Sequence, residues 1–340
     1  MEVRSTYLRT LVILSALLML FAANISLGSV SISPSDMLLA VFRPSQTSEL
    51  YTNIMWQLRL PKAATCIIAG SALALGGLLM QTLFRNPLAG PDVLGLSSGA
   101  SLMVALVLLV STTGSGYLPS INAWSLALAA SVGSGIIFLL IMTVANRVKD
   151  NTSLLIIGLM IAAVSGAMVG VMQYVSSAQN LQAFVIWTLG SVGGTNWNEI
   201  LILGIMMTAG AVVSFILVKP LNTWLLGDNY AISLGINLKR SRMLIVMVTS
   251  VLVGGVTAFC GPIAFVGLAV PHLVRLLVPT TNHKILLPMV MAGGAILMLL
   301  CDILVQVPGS SNTLPLNAVT SIIGAPVVIW VVLKSKGVRM

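Results

Sequence analysis

Long apolar runs, cut by short polar breaks, follow one another along the whole chain. A helix needs ~20 apolar residues to cross a bilayer. The pattern predicts such helices at 8–28, 62–84, 95–111, 123–146, 152–175, 199–218, 243–260, 262–271, 285–304 and 316–334, the eighth too short to cross unaided. It predicts an all-α polytopic membrane protein with about ten transmembrane helices, residues 1–340 forming one transmembrane domain. Arg4 and Arg9 ahead of the first run give it the outline of a signal peptide. The run is long and the rest of the chain is itself membrane, so it reads as an uncleaved first helix.

The breaks carry the information. Gln81–Ala100 holds Pro87, Gly90, Pro91, Gly95 and Gly99, with Arg85, Asn86 and Asp92. Pro lacks an amide donor and Gly weakens helices, so this stretch is not one continuous helix. Irregular backbone cannot face lipid and belongs at the surface or beside water inside protein. A polar turn between two spans suits a gate. Gly261-Pro262 repeats the same chemistry before a short helix, and Gly324-Ala325-Pro326 is expected to break the last one. Ten helices with two such breaks fit two inverted halves of five.

Other breaks predict smaller elements. Ser33-Pro34-Ser35-Asp36 starts a short surface helix over Met37–Phe42. Pro61 is tolerated at the opening of the second span, and Asn151 or Thr152 is a cap for the fifth. Ser176–Gly194 is too polar to span and reads as a short re-entrant or interfacial helix ending at Gly193-Gly194. Residues 219–242 form the longest internal polar segment, in which Asp228 caps a helical turn and Gly235 ends it. From spacing alone it is equally a docking knob or a plain linker.

Composition sharpens the class. The chain is 57% hydrophobic and 7% charged, against roughly 25% charged in soluble domains. The formal charge of +9 does not indicate nucleic acid, because the basic residues lie in clusters between apolar runs. With the N-terminus in the cytoplasm, only Arg43, Arg59 and Lys62 of the 17 Lys and Arg fall outside. The positive-inside rule therefore predicts both termini on the cytoplasmic side of the membrane.

Several chemistries lack their residues. No Lys follows Gly directly, so no phosphate-binding loop exists. His272 and His283 fall near one face, and Cys66, Cys260 and Cys301 stand apart, which predicts neither a metal site nor a disulfide. The 18 methionines read as packing filler. Asp302 lies inside an apolar run, where an ionisable group has either a functional role or a structural partner. Broken helices without an energy source suit a transport subunit driven by a separate ATPase. An ion-coupled secondary carrier of a bulky solute is the alternative.

Several ordered motifs then identify a family. Arg59-Leu60-Pro61-Lys62, Asn86-Pro87-Leu88-Ala89 with Leu94-Gly95, Gly227 to Gly235, Gly261-Pro262-Ile263 with Phe265-Val266-Gly267, Pro271-His272 with Arg275, and Gly324-Ala325-Pro326 resemble the FecCD family over about 55–334. These are permease subunits of ABC importers for iron chelates (siderophores, haem) and vitamin B12.

The resemblance implies the type II ABC importer permease fold. It implies a homodimer, or a pair with a paralogous permease, with ABC ATPase subunits inside and a substrate-binding protein outside. The chain would carry no cofactor; ATP and Mg would be used by the partner. Asn86 and Leu88 match one part of the cytoplasmic gate, and Thr152 and Ser153 the other. Gly227, Ala231, Leu234 and Gly235 match the ATPase-coupling segment, which favours docking over a plain linker. Arg59 and Lys62 match outer positions that meet the binding protein. Three departures stand out: Lys62 replaces a frequent Arg, Gln306 stands where Arg often follows the intramembrane Asp, and Leu314-Pro315-Leu316-Asn317 replaces a Pro-Val-Gly.

Overall fold

A computed structural model describes all residues except 1, 29, 31, 111–122, 149–150, 307–312 and 337–340. The Gly- and Ser-containing stretch 112–122, Lys149 and Arg339 therefore lie outside the described residues. The elements are α1 (Glu2–Ser26), α2 (Pro34–Phe42), α3 (Glu49–Asn53), α4 (Leu60–Phe84), α5 (Leu96–Ala105), α6 (Ala123–Arg147), α7 (Asn151–Val175), α8 (Ala178–Thr188), α9 (Trp197–Ile216), α10 (Val218–Trp224), α11 (Asp228–Ser233), α12 (Leu238–Cys260), α13 (Val266–Leu277), α14 (His283–Val305) and α15 (Leu316–Lys336). Among the described residues there is no strand. Among the described residues seven helices are long and apolar enough to cross a membrane; Leu96–Leu109, Val266–Leu277 and Leu316–Trp330 are shorter apolar helices.

Helix α4 is the axis of the molecule. Its apolar stretch is 83% buried, against 11% for α1 and 17% for α7. Helices α9, α12, α13 and α14 pack around it. Small residues make this possible. A Cβ on Gly70 would overlap the Gly294 carbonyl, and one on Gly77 the Gly267 carbonyl. In lipid, where apolar side chains gain little by meeting one another, such close approach supplies the dispersion that holds helices together. The three cysteines are buried free thiols.

Local chemistry sets the helix ends. Ser33 caps α2, its hydroxyl accepting from the Asp36 amide at 3.1 Å. Asn196 and Glu199 form a reciprocal capping box at the start of α9, which satisfies a carboxylate that is 3% exposed. Gly261 (φ 73°) ends α12, and α13 begins only at Val266.

Five expectations shift. Asp228 is the first residue of α11 rather than its cap, a position held by Gly227 with no side-chain bond. Helical backbone runs back from α4 to Glu49 through a π-helical stretch, Ile54–Arg59, so Pro61 lies within a long helix rather than at its mouth. The wider π turns move the bonding register just ahead of the residue that lacks a donor. Pro326 does not break the last helix: α15 continues through it, because one lost amide bond is tolerated inside a membrane bundle. Helix α8 ends before Gly190 (φ 70°), short of Gly193-Gly194. Asn151 and Thr152 lie in the first turn of α7 instead of capping it, and the cap position at 150 is outside the described residues.

Candidate functional site

At one end of α4 the backbone turns sharply. Arg85 takes the left-handed conformation (φ 47°), one of two described non-glycine residues to do so. The side-chain oxygen of Asn86 then accepts the Leu88 amide at 2.9 Å, closing an Asx turn. A short 3-10 turn, Pro91–Leu94, and Gly95 (φ 73°) lead into α5. His272 Nε2 donates to the Pro87 carbonyl at 2.7 Å. Gln81 donates to the Leu268 carbonyl at 3.2 Å and accepts from Arg275 at 2.8 Å. The Pro271-His272 and Arg275 motif thus props the loop that carries Asn86 and Leu88. Within that loop Asn86 is half-buried and Leu88 exposed.

Thr152 and Ser153 open α7, which packs along Pro91–Leu94. Gly95 rests against Gly158 of the same helix. The two parts expected to form a gate are therefore joined through residues 91–95.

The segment 219–242 lies beside this loop. Gly227 (φ 112°) precedes α11 and Gly235 (φ 77°) follows it. The Ile236 amide donates to the Ala231 carbonyl at 3.0 Å and the Gly235 amide to Ile232 at 2.9 Å. This is a Schellman closure, which requires the left-handed residue that glycine supplies. Ala231 is fully buried, while Leu225, Leu226, Tyr230, Ile232 and Leu234 are exposed. A cluster of exposed large apolar side chains on a polar loop marks a protein contact.

The sequence reading missed the clasp between these two parts. The Arg85 guanidinium donates to the Trp224 carbonyl at 3.1 Å and forms an ion pair with Asp228. A second strut runs through His283. Its backbone amide and Nδ1 both lie against the Asn222 side-chain oxygen, at 2.9 and 2.8 Å. Nδ1 therefore carries the hydrogen, and Nε2 lies 2.9 Å from the Thr82 hydroxyl oxygen. Thr82 is in the last turn of α4, so that turn is tied to α10 and α14 together.

The two cations expected to face a binding protein have inward partners. Arg59 is 6% exposed and donates to the carbonyls of Ile25 (2.8 Å), Ser26 (3.0 Å) and Val30. It satisfies the carboxyl end of α1. Lys62 Nζ lies 3.0 Å from Asp302 Oδ2. The same oxygen accepts from Asn24 at 2.7 Å and from Gln306 at 3.2 Å. The structural reading of Asp302 holds: it knots α1, α4 and α14 together. Arg43 is the exposed basic side chain nearby in sequence.

Between these ends a cavity of about 410 Å³ is lined by Ser97, Ser98 and Ser101 of α5, Val169 of α7, Phe184 and Thr188 of α8, the 262–264 break, and Asn317. Its lining carries hydroxyl, amide and apolar groups but no charge. Asn317 accepts from the Ala264 amide at 3.1 Å, holding the second helix break against α15. Gly-Pro chemistry forecast the break, but its partner residue comes from the departure at 314–317.

The profile of a family described as the FecCD transport family matches residues 16–334. The hemin transport system permease protein HmuU of Yersinia pestis is 33% identical over 324 residues, 95% of this chain and 96% of that protein. The vitamin B12 import system permease protein BtuC of Salmonella typhi is 38% identical over 325 residues, 94% of each. A solved structure described as a metal-chelate type ABC transporter in an inward-facing conformation superposes with a TM-score of 0.83 at 27% identity, covering 95% of this chain and 97% of that one.

Proposed function

This chain belongs to the FecCD transport family, and from that premise we propose that it is the membrane permease of an ATP-driven importer for an iron chelate, haem or vitamin B12. The observation that carries the reading is full-length likeness to permeases whose names specify hemin and vitamin B12. ATP and Mg are used by separate ATPase subunits, and a substrate-binding protein delivers cargo from outside. The chain sits in the inner membrane with both termini in the cytoplasm and ten crossings in two inverted halves. It works as a homodimer or beside a paralogous permease. The exposed face of α7, with Val164, Met168, Val171 and Tyr174 outward, supports a second permease copy there.

The ATPase docks on Gly227–Gly235 and the apolar side chains around it. Closure of the ATPase pair moves α11, and the Arg85–Asp228 clasp hands the movement to Asn86 and Leu88. Thr152 and Ser153 move with the same loop through residues 91–95. Cargo passes beside the uncharged cavity at Ser97, Ser101 and Asn317, where weak contacts serve turnover because tight binding would trap the solute. Arg59 and Lys62 shape the outer face on which the binding protein sits, rather than meeting it directly.

The test is reconstitution. Vesicles holding this chain with its ATPase and loaded binding protein should accumulate cargo with ATP, and vesicles holding this chain alone should not. Uphill uptake by the chain alone on an ion gradient would establish the secondary-carrier alternative instead.

A further inference from the structure

Where α4 ends and α14 begins, a cavity of about 280 Å³ opens beside the loop that carries Pro87. Arg85, Arg275, Thr82, Thr281, His283 and Leu286 line it. Two guanidiniums face one small space, and the lining holds no carboxylate. A histidine ring carries no negative charge in either protonation state, so His283 does not supply the counter-charge. Arg85 meets Asp228, but Asp228 is not part of the lining. Arg275 is half-buried, and among the described residues its partner is the neutral side-chain oxygen of Gln81.

A guanidinium withdrawn from water without a counter-charge is costly, and an anion brought to it removes that cost. The planar fork of Arg matches the oxygens of a phosphate. Thr281, on the exposed turn before α14, adds a hydroxyl at the mouth. Leu286 gives the cavity an apolar flank. Basic pockets between membrane helices suit phosphate-bearing headgroups.

We propose that this cavity is a phosphate-binding site, in which Arg275 and Arg85 grip the oxyanion and Thr281 donates to it. The phosphate comes from an anionic lipid headgroup or from free phosphate. Its occupation holds Arg275 and Pro87 in register, so the site conditions the stiffness of the neighbouring loop.

The experiment uses the full chain, purified and stripped of lipid, and reads its unfolding midpoint. One arm adds inorganic phosphate. A second compares vesicles of phosphatidylcholine alone with vesicles of phosphatidylcholine mixed equally with phosphatidylglycerol. The wild type should gain stability from phosphate or from phosphatidylglycerol. If the lipid is the source, added phosphate should give nothing further once phosphatidylglycerol is present. Arg275→Gln should weaken the response about tenfold or more, the loss expected for one charged hydrogen bond. Thr281→Glu changes an exposed residue and places a carboxylate at the mouth; it should abolish the response while leaving Arg275 intact. A wild-type midpoint indifferent to both additives would overturn the site. So would a full response in both variants, or a stabilisation that arises only with the ATPase, which would assign the pocket to an acidic side chain of that partner.

Discussion

Lys62 Nζ reaches Asp302 Oδ2 across 3.0 Å between α4 and α14, with the carboxylate 2% exposed. Removing one partner of such a buried pair leaves an uncompensated charge and costs about 3–5 kcal/mol. Lys62→Met should therefore lower the unfolding midpoint sharply. The double variant Lys62→Met/Asp302→Asn removes both charges and keeps an oxygen for Asn24 and Gln306, so it should recover most of that loss. Thermal unfolding in detergent tests this. A Lys62→Met protein of normal stability with weakened capture of the binding protein would return Lys62 to a direct docking role.

The Arg85–Asp228 pair has the opposite profile. Both side chains are more than a third exposed, and an exposed pair contributes ~0–1 kcal/mol to stability. Its value lies in joining the Asn86–Leu88 loop to α11. Arg85→Asp or Asp228→Arg alone should leave the midpoint nearly unchanged while cargo moved per ATP falls. The exchange Arg85→Asp/Asp228→Arg should restore part of it. Vesicle uptake and phosphate release measured together give that ratio, and equal ratios in all three variants would remove the clasp from the mechanism.

These two pairs separate what is written locally in the sequence from what only the fold decides. Helix breaks at Gly95, Gly261 and Gly235 follow from local chemistry, since a positive φ is a property of the residue and its immediate neighbours. The Asn86 turn and the Ser33 cap are local in the same sense. The direction of a charge is not local. Arg59 and Lys62 lie in a predicted outer segment, which says nothing of the α1 carbonyls or of Asp302 waiting for them. Pro326 misled because its cost depends on neighbouring helices, not on its own turn. The segment 219–242 was legible as a docking candidate, but the exposure of Leu226 and Ile232 was not, because apolar residues in a membrane chain carry no mark of which solvent they face.

Gly235 ends α11 at φ 77° and its amide donates to Ile232 at 2.9 Å. Proline fixes φ near −65° and has no amide hydrogen, so Gly235→Pro loses both the conformation and the bond. The distortion is confined to a surface turn, with no atom within 4 Å of a Cβ at this position. The variant should insert and purify normally, with ATP hydrolysis in the assembled complex no longer matched to uptake. Gly235→Ala, which costs roughly 1–2 kcal/mol at such a φ, should show a milder version. Uptake at the wild-type rate in Gly235→Pro would dismiss the turn as a coupling element.

Leu226 and Ile232 are 64% and 57% exposed on either side of Gly227. Side chains of this kind cost the isolated permease little when shortened, because most of each already lies outside its own packing. At a protein contact they enter a partner's pocket, and truncating one central apolar anchor typically costs about 1–2 kcal/mol of association. Leu226→Ser and Ile232→Ser should each weaken binding of the ATPase roughly five- to thirtyfold, by the conversion of 1.4 kcal/mol to a factor of ten. The unfolding midpoint of the permease alone should not change. Co-purification across a protein dilution series separates the two readouts. Undiminished ATPase binding in both variants would move the docking surface off this segment, and a lower midpoint would mean that these side chains pack within the permease instead.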